Sequence, residues 1–283
     1  MRLVRFGERG RERPGVLDGD GALRDISGVV PDLDRHHLSP AHLDRVREAL
    51  RAGGLPSVPG APRLGPCVAQ PGNFIAVGLN YADHAAEAGM AIPPEPILFN
   101  KAPNSINGPN DDILLPRGSQ KLDWEVELGF VIGTRASYVS EAQALDHVAG
   151  FCLANDVSER EYQLERAGNW MKGKSAPTFG PIGPWLVTPD EIADVQALDM
   201  WLDVNGEAMQ RGNTRTMIFN VRTIIAYASQ FMTLDPGDVI VTGTPPGVGS
   251  GKKPPVYLKA GDTLRLGIAG LGEQQARVVS QTA

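Results

Sequence analysis

The sequence contains little cysteine, and its two cysteines are poorly placed for a scaffold. Cys67 and Cys152 lie far apart in the chain, each in apolar surroundings. Two isolated thiols supply neither a disulfide framework nor the ligands of a cysteine zinc site. The sequence therefore argues against a disulfide-rich domain and against a structural zinc centre.

Long hydrophobic runs and an excess of positive charge are also absent. No run of about 18 apolar residues occurs, so we expect no helix that crosses a membrane. Residues 1–10 lack the apolar stretch of a signal peptide, and we expect a cytoplasmic protein. The formal net charge is −6, which argues against a partner with a phosphate backbone. We therefore expect neither a nucleic acid nor a membrane as partner.

The chain is long and apolar enough for a large packed core. It has 283 residues, of which 42% are hydrophobic, and chains of this length often divide into more than one unit. Residues 1–70 contain three short strand patterns and a helix that begins after Ser39-Pro40, and residues 55–72 are rich in proline and glycine. We therefore expect a small β-rich N-terminal domain, residues 1–70, and a catalytic domain, residues 71–283.

Strand patterns outnumber helical patterns after residue 73 and are clustered. Residues 124–132 alternate between apolar and polar, which predicts a long half-buried strand, and Asn205-Gly206 predicts a hairpin. The helices are predicted over residues 82–88, 141–148, 158–167 and 221–231. This order predicts an α+β fold that is mainly β, with a mixed, largely antiparallel sheet and peripheral helices.

Three carboxylates in this region are candidate metal ligands. Glu125 and Glu127 are two residues apart on the predicted strand, so both point to one face. Asp156 follows the apolar strand of residues 151–154. Three carboxylates without histidine or cysteine favour Mg²⁺, Mn²⁺ or Ca²⁺ over Zn²⁺. The alternatives are a solvated acidic face for the two glutamates and a helix N-cap for Asp156.

Two polar residues follow Asp156 at helical spacing. Arg160 and Gln163 lie four and seven positions after it, on the same face of the predicted helix over residues 158–167. A guanidinium and an amide beside a metal ligand would suit a substrate carboxylate or an oxyanion. The alternative is an ordinary exposed face of the helix.

His84 and Glu87 form a candidate catalytic pair. They lie three residues apart on the short predicted helix of residues 82–88, so their side chains share a face. A carboxylate that fixes the tautomer of a histidine makes it a general base near neutral pH. Gly89 and two prolines that follow give this helix the composition of a movable lid, and the alternative is a solvated surface pair.

The glycine-rich segment of residues 242–253 resembles a phosphate loop only superficially. Pro246 replaces the required leading glycine, and Lys253 stands where a serine or threonine should follow the lysine. We expect instead a rigid loop that offers the hydroxyl or the backbone amide of Thr244 to the substrate.

Several segments of the chain resemble the fumarylacetoacetate hydrolase family, and they recur in the family's order from Asn73 to the C-terminus. The matching motifs are Gly78-Leu79-Asn80-Tyr81-Ala82-Asp83-His84, Leu98-Phe99-Asn100-Lys101, Asp123-Trp124-Glu125-Val126-Glu127-Leu128, Asn155-Asp156-Val157-Ser158, Lys172-Gly173-Lys174-Ser175 and Thr242-Gly243-Thr244-Pro245. The N-terminal segment and the length look closest to bacterial hydrolases of 2,4-diketo-3-deoxy sugar acids.

The resemblance implies a mixed β-sandwich roll as the catalytic domain, assembled into a homodimer or a dimer of dimers. It implies a divalent metal, Mg²⁺ or otherwise Mn²⁺ or Ca²⁺, and a His–Glu pair on a lid that orders over ligand. The implied metal ligands are Glu125, Glu127 and Asp156, and the implied catalytic residues are His84, Glu87 and Lys174. The residues implied to line the substrate pocket are Arg160, Gln163, Lys101 and Thr244.

The leading hypothesis is a metal-dependent hydrolase that cleaves a C–C bond of a 2,4-dioxo acid and releases pyruvate. His84, oriented by Glu87, would deprotonate the water that attacks the C4 carbonyl, and Gln163, Lys174 or Arg160 would stabilise the oxyanion. The same residues would also suit a decarboxylase, a tautomerase or isomerase, a hydratase or a ureidoglycolate lyase. A binding protein for small acids without catalysis is the non-enzymatic alternative.

Overall fold

A computed structural model of the protein describes residues 1–282, which contain eighteen strands and four α-helices. The strands are β1 (Arg2–Phe6), β2 (Arg13–Leu17), β3 (Leu23–Asp25), β4 (Phe74–Gly78), β5 (Ile97–Lys101), β6 (Ile106–Asn107), β7 (Ile113–Leu115), β8 (Leu122–Asp123), β9 (Val126–Ile132), β10 (Val148–Asn155), β11 (Ser158–Glu159), β12 (Gly180–Pro181), β13 (Leu186–Val187), β14 (Asp199–Val204), β15 (Glu207–Asn213), β16 (Val239–Val241), β17 (Thr263–Ile268) and β18 (Gly272–Ser280). The helices are α1 (Pro40–Ala52), α2 (Ala82–Ala88), α3 (Trp170–Lys174) and α4 (Val221–Phe231).

Two large sheets pack face to face. One has nine strands in the order β3-β2-β1-β13-β10-β9-β16-β4-β5, and the other has five in the order β15-β14-β17-β18-β7. Within these sheets the parallel pairs are β4 with β16 and β7 with β18, and the other pairs are antiparallel. The structure is therefore an α+β sandwich made mainly of strands, as the sequence predicts.

The strand β9 is covered on both faces, which corrects the prediction of a half-buried strand. Leu128 and Phe130 pack in a core with Leu202 of the second sheet. Val131 points to the opposite face and belongs to a second core, which includes Val46 of α1. All seven residues of β9 are buried because a sheet covers one face and the N-terminal segment covers the other.

The N-terminal segment is connected to the rest of the chain by a sheet and by ion pairs. Strand β1 pairs with β13, with Leu3 opposite Leu186, and so extends the nine-stranded sheet. The Arg63 guanidinium binds both Asp111 oxygens, at 2.7 and 2.5 Å, and also Glu12 at 3.0 Å. The division of the chain after residue 70 stays a prediction, and these contacts join the two sides of that boundary.

The predicted helices are confirmed in part. Helices α2 and α4 have the predicted bounds, and the Asn205-Gly206 hairpin joins β14 to β15. In the segment of residues 141–148, only Ala144–His147 is helical, as a 3₁₀ turn, because Val148 already belongs to β10. The helix predicted over residues 158–167 is wrong at its start: Ser158–Glu159 pairs with β8 as strand β11, and a π-helical turn, Glu161–Glu165, follows.

Two further sequence predictions concern the cysteines and the membrane. Cys67 and Cys152 are free and buried in the same core. The neighbouring Cys152 thiol, together with burial, raises the pKa of the Cys67 thiol. Among residues 1–282, no helix has the length and apolar character needed to cross a membrane.

Candidate active site

The site lies at one edge of the nine-stranded sheet, where several strand ends meet. Strands β4 and β16 are parallel and end at the same edge. Strand β9 is antiparallel to both β10 and β16, so its first residues lie beside the last residues of those strands. The segments that carry Glu125, Glu127, Asp156, Gly243 and the start of α2 therefore converge.

The three predicted metal ligands form one buried cluster. One carboxylate oxygen from each of Glu125, Glu127 and Asp156 lies within 4.8 Å of the others. None of the three residues is more than 6% exposed. The alternative of a solvated acidic face is therefore wrong, and Asp156 is not a helix N-cap because the chain continues from it into β11.

Charges within the cluster are unevenly compensated. Burial alone would raise the pKa of Glu125, but the charges of Lys174 and Arg160 outweigh it and lower that pKa to about 2. Burial, followed by repulsion from Asp156 and Glu125, raises the pKa of Glu127 well above its ordinary value.

Glu127 therefore needs further positive charge. Its side chain accepts a hydrogen bond from the Gly243 N–H at 2.8 Å. A divalent cation would relieve the repulsion, and an all-carboxylate donor set fits Mg²⁺, Mn²⁺ or Ca²⁺. The residues present thus fit a divalent metal site.

The two lysines of the site have different positions. The Lys174 ammonium lies 2.7 Å from Glu125 Oε2 and 2.6 Å from Asp156 Oδ2, and it lines the cavity beside the carboxylates. Burial opposes its charge, but Asp156 and Glu125 raise the pKa of Lys174 above its ordinary value.

Lys101 is fully buried, and its ammonium donates to Asp156 without lining the cavity. Burial lowers the pKa of Lys101. The structure thus gives Lys101 a contact with a predicted metal ligand. It does not place the side chain where the predicted contact with substrate would occur.

Arg160 and Gln163 are brought into the cluster, although not by the predicted helix. Arg160 Nε donates to Asp123 at 2.8 Å, and its Nη2 lies 2.6 Å from Glu125 Oε1. Its Nη1 donates to Gln163 Oε1 at 3.0 Å. Both residues are buried and line the cavity, so the alternative of an exposed polar face is wrong. The close approach of α3 to the π-helical turn depends on Gly173, where a Cβ would lie 2.5 Å from the Cβ of Gln163.

His84 and Glu87 face the same cavity. His84 Nδ1 lies 3.1 Å from Glu87 Oε2, and both side chains line the cavity. Glu87 Oε1 also accepts a hydrogen bond from the Gly247 backbone N–H at 3.0 Å. The geometry places a histidine–carboxylate pair in the same cavity as the carboxylate cluster, while its role as a catalytic dyad stays a prediction.

The start of α2 is fixed to the rest of the molecule. The Asn80 side chain donates to the Thr242 and Phe219 carbonyls, at 2.8 and 2.9 Å, and accepts from the Phe219 N–H. The Thr216 hydroxyl lies 3.2 Å from the Asp83 carboxylate and 3.1 Å from the Asn213 carbonyl, so these two acceptors share its one hydrogen. At the other end of the helix, Gly89 in the left-handed conformation and the residues just beyond it are exposed. This arrangement suits a lid that is hinged at its first residues and held in place by the hydrogen bond between Glu87 and the Gly247 N–H.

Thr244 lines the cavity, but its hydroxyl already has protein partners. It donates to the Val126 carbonyl at 2.9 Å and accepts from Gln210 Nε2 at 2.8 Å. A hydroxyl has one hydrogen to donate, so Thr244 has none left for a substrate oxygen. The expectation that this hydroxyl serves the substrate is therefore not supported by the geometry.

Sequence reasoning did not assign a role to Asp123. This fully buried carboxylate accepts from the backbone N–H groups of Gly249 and Ser250, at 2.7 and 2.9 Å, and from Arg160. It therefore fixes the glycine-rich loop against the guanidinium. The available signal was its position in the motif Asp-Trp-Glu-Val-Glu. Its role could not be read from that motif, because its partners in the glycine-rich loop lie more than 120 positions away in the sequence.

One cavity of about 350 Å³ is lined by the carboxylate cluster, Lys174, Arg160, Gln163, Thr244 and the His84–Glu87 pair. Four carboxylates and His84 are among its polar lining groups. Its remaining wall is mainly apolar and includes Phe99 and Trp170, whose rings meet edge to face with centroids 5.2 Å apart. Sequence reasoning also missed Trp170, which packs so closely on Gly78 that a Cβ there would lie 2.2 Å from its ring.

The sequence matches a known protein family and curated relatives. Residues 73–279 match the family model described as fumarylacetoacetate hydrolase, C-terminal. A protein of Burkholderia multivorans that carries only a provisional hydrolase name is 62% identical over 275 residues, which cover 97% of each chain.

Solved structures are similar over essentially the whole chain. A fumarylacetoacetate hydrolase from the psychrophilic Exiguobacterium antarcticum is 38% identical, with a TM-score of 0.85 over 99% of this chain and 100% of that one. Maleylpyruvate hydrolase from Sphingobium sp. SYK-6, solved with manganese(II) and pyruvate, is 31% identical, with a TM-score of 0.83 over all of both chains.

An isomerase is similar as well. The 2-hydroxyhepta-2,4-diene-1,7-dioate isomerase of Mycobacterium marinum is 31% identical, with a TM-score of 0.75 over all of both chains. Since the family model covers most of the chain and a relative is 62% identical over nearly all of it, the protein belongs to the fumarylacetoacetate hydrolase family of enzymes.

Proposed function

We propose that the protein is a metal-dependent hydrolase that cleaves the C3–C4 bond of a 2,4-dioxo acid, either an acylpyruvate or a 2,4-diketo-3-deoxy sugar acid. The observation that carries this proposal is the meeting of a buried carboxylate triad and a histidine–carboxylate pair in one cavity. The similarity to a hydrolase solved with manganese and pyruvate supports it. Water adds to C4, the C3–C4 bond breaks, and C3 takes a proton to become the methyl group of pyruvate.

Glu125, Glu127 and Asp156 would hold the divalent ion, Mg²⁺ or otherwise Mn²⁺ or Ca²⁺. When bound, such an ion supplies positive charge that polarises the oxygens of the 2-oxo acid and stabilises negative charge as C3 departs. Lys174 keeps Glu125 and Asp156 in place, because its ammonium contacts both carboxylates.

His84 is the general base of the proposed reaction. Its Nδ1 lies 3.1 Å from Glu87 Oε2, so in the neutral ring a proton on Nδ1 would donate to Glu87 and leave Nε2 able to take one from water. A positioned base of this kind contributes about 10²–10⁴-fold to the rate. The proton taken from water can then pass to the departing C3.

The negative charge that develops on the C4 oxygen needs donors. Arg160 Nη1 donates to Gln163 Oε1, so the amide nitrogen of Gln163 is the group of that side chain available to donate into the cavity. Lys174 and Arg160 add positive charge on the same wall. Each donor to an oxyanion contributes about 3 kcal/mol of transition-state stabilisation.

The test is pyruvate release from a panel of acylpyruvates and 2,4-diketo-3-deoxy sugar acids, with Mg²⁺ or Mn²⁺ present. We expect turnover of at least one member, and loss of turnover in the His84→Ala variant. A complete panel without pyruvate release would contradict the proposal.

Isomerisation is the second candidate, because an isomerase is similar over the whole chain. Decarboxylation, hydration and ureidoglycolate cleavage would use the same groups. Reaction in water enriched in ¹⁸O separates these outcomes, because hydrolysis places the label in the carboxylate of the second acid. An isomer as product, without pyruvate, would favour the second candidate.

We also propose, from the family resemblance, that the chain forms a homodimer or a dimer of dimers. Sedimentation equilibrium gives the mass of the assembly, and a monomer would contradict the proposal. A cytoplasmic location and a place in sugar-acid breakdown stay predictions.

A further inference from the structure

We propose that the cavity selects 2-oxo acids with an uncharged, mainly apolar tail and rejects those with a second carboxylate. This inference rests on the proposed function, since it assumes that the 2-oxo acid end of the substrate lies at the carboxylate cluster. It goes further because it assigns the chemical class of the tail.

The cationic side chains at the cavity are already paired. Within residues 1–282, Arg160 and Lys174 are the lysine and arginine residues that line it. Arg160 is bound to Asp123 and Glu125, and Lys174 to Glu125 and Asp156. His84 faces Glu87, and the proposed reaction needs its ring neutral. A second substrate carboxylate would therefore find no unpaired cation along this wall.

The charge of the cavity points the same way. Its lining contains four carboxylates, those of Glu87, Glu125, Glu127 and Asp156, against the two cations. A divalent ion would neutralise this excess of negative charge and leave the cavity without net positive charge. The first carboxylate of a substrate then has the ion as partner, whereas a second would find neutral donors such as Gln163 and Ser250 but no cation free to pair with it.

The cavity lining also has a large apolar part. It is formed by Leu79, Met90, Phe99, Leu164, Trp170 and Val248. The Phe99 ring centroid lies 5.6 Å from the Lys174 ammonium, so apolar surface begins directly beside the carboxylate cluster that Lys174 contacts. At the mouth, Met90 and Leu164 are 54% and 56% exposed. Large apolar side chains left open at the mouth of a cavity are suited to cover an apolar tail.

A carboxylate placed against these apolar side chains would lose its water without gaining a hydrogen-bond partner from them. Such burial is strongly unfavourable, whereas an alkyl tail gains from it. We therefore expect discrimination of at least tenfold in favour of the uncharged tail.

The first experiment measures binding, so it does not depend on hydrolysis. The probes are 2-oxohexanoate and 2-oxohexanedioate, which have equal length and differ in the terminal methyl or carboxylate. Neither has the 4-oxo group that hydrolysis requires. Calorimetry on the Mn²⁺-loaded protein is expected to give a Kd at least tenfold lower for 2-oxohexanoate.

The second experiment supplies the missing cation. Leu164→Arg places a guanidinium at the mouth, and because Leu164 is mostly exposed the change should not disturb folding. We expect it to tighten 2-oxohexanedioate binding about tenfold through a charge-assisted pair. Tyr138→Arg is the matched control, since Tyr138 is 79% exposed and does not line the cavity.

The outcomes separate this inference from the proposed function. If no dioxo acid is hydrolysed but 2-oxohexanoate still binds at least tenfold better, the proposed function fails and the inference stands. If the two acids bind equally, if the dioate binds better, or if neither binds, the inference is overturned. An equal gain from Leu164→Arg and Tyr138→Arg would likewise overturn it, because the effect would then be one of net charge.

Discussion

The Glu87 carboxylate contacts the His84 ring through Oε2 at 3.1 Å and the Gly247 backbone N–H through Oε1 at 3.0 Å. One side chain thus orients the proposed base and fastens the end of α2 to the glycine-rich loop. That loop is in turn held by Asp123, which also binds Arg160. The position of the lid and the orientation of the base are therefore linked by one carboxylate.

Replacing Glu87 with Gln should separate these two roles. The amide oxygen can still accept from the Gly247 N–H, but the neutral side chain no longer favours the proton on His84 Nδ1 or the imidazolium formed in the reaction. We expect kcat to fall about 10²-fold, the scale of general-base catalysis, while metal affinity is unchanged. Steady-state kinetics and metal titration measure the two effects, and a kcat within twofold of the original would contradict the orienting role.

Replacing Glu127 with Gln should weaken metal binding. The variant removes a negative charge from the donor set, and Mg²⁺ is bound in proteins chiefly through carboxylates. We expect metal affinity to fall more than tenfold, and activity to recover in part at high metal concentration because the His84–Glu87 pair is intact.

His84→Ala is the counterpart of Glu127→Gln. It should lose about 10²–10⁴-fold in kcat with normal metal affinity and no recovery at high metal concentration. His147→Ala serves as the control, because His147 does not line the cavity. If metal restored His84→Ala, or failed to restore Glu127→Gln at all, the division between metal binding and base catalysis would be wrong.

The carboxylate cluster and the His84–Glu87 pair were predictable because short sequence spacing fixes their geometry. Glu125 and Glu127 are two residues apart on one chain segment, and His84 and Glu87 are one helical turn apart. Asp156 was predicted as the third ligand because it directly follows an apolar strand and lies in a matching family motif. Its position beside Glu125 depends on the pairing of β9 with β10.

Other features depend on long-range contacts that local patterns do not encode. The alternation in β9 suggested one solvated face, but the N-terminal segment covers it. The helical spacing after Asp156 correctly pointed to Arg160 and Gln163 as residues of the site. The helix assumed for them does not begin at residue 158, because pairing with β8 keeps the chain extended there. The position of Lys101 away from the cavity likewise follows only from the packed sheet.

The anchoring of the lid gives a prediction about motion. Thr216→Val keeps the shape of the side chain but removes the hydroxyl whose hydrogen Asp83 shares with the Asn213 carbonyl. We expect the backbone amides of α2 to exchange faster with deuterium, and kcat/KM to fall several-fold as the lid closes less often. Thr216→Ser keeps a hydroxyl and should behave like the original protein. Equal exchange rates in the Val and Ser variants would show that this hydrogen bond does not hold the helix.

A last prediction concerns the attachment of the N-terminal segment. Asp111 binds the Arg63 guanidinium through both oxygens and is only 17% exposed, so the pair joins the segment to the residues after β6. Burial would raise the pKa of Asp111, but the hydrogen bond and charge of Arg63 outweigh it and lower that pKa below its ordinary value. Asp111→Asn should therefore lower the free energy of unfolding at neutral pH, by about 2 kcal/mol for a charge-assisted bond.

The pH dependence of this loss tests its electrostatic origin. A carboxyl group whose pKa is lower in the folded state stabilises the protein fully above its unfolded pKa, about 3.9 for aspartate. The contribution disappears only as the pH falls through the lower folded-state pKa. The loss in free energy of unfolding caused by Asp111→Asn should thus be constant between about pH 7 and pH 5 and shrink only below about pH 4.

Urea unfolding measures this loss. Asp112→Asn is the control, because Asp112 is exposed and has no ion pair among residues 1–282. A loss in free energy of unfolding that already shrinks between pH 7 and pH 5, or an equal loss in Asp112→Asn, would show that the ion pair does not stabilise the attachment of the N-terminal segment.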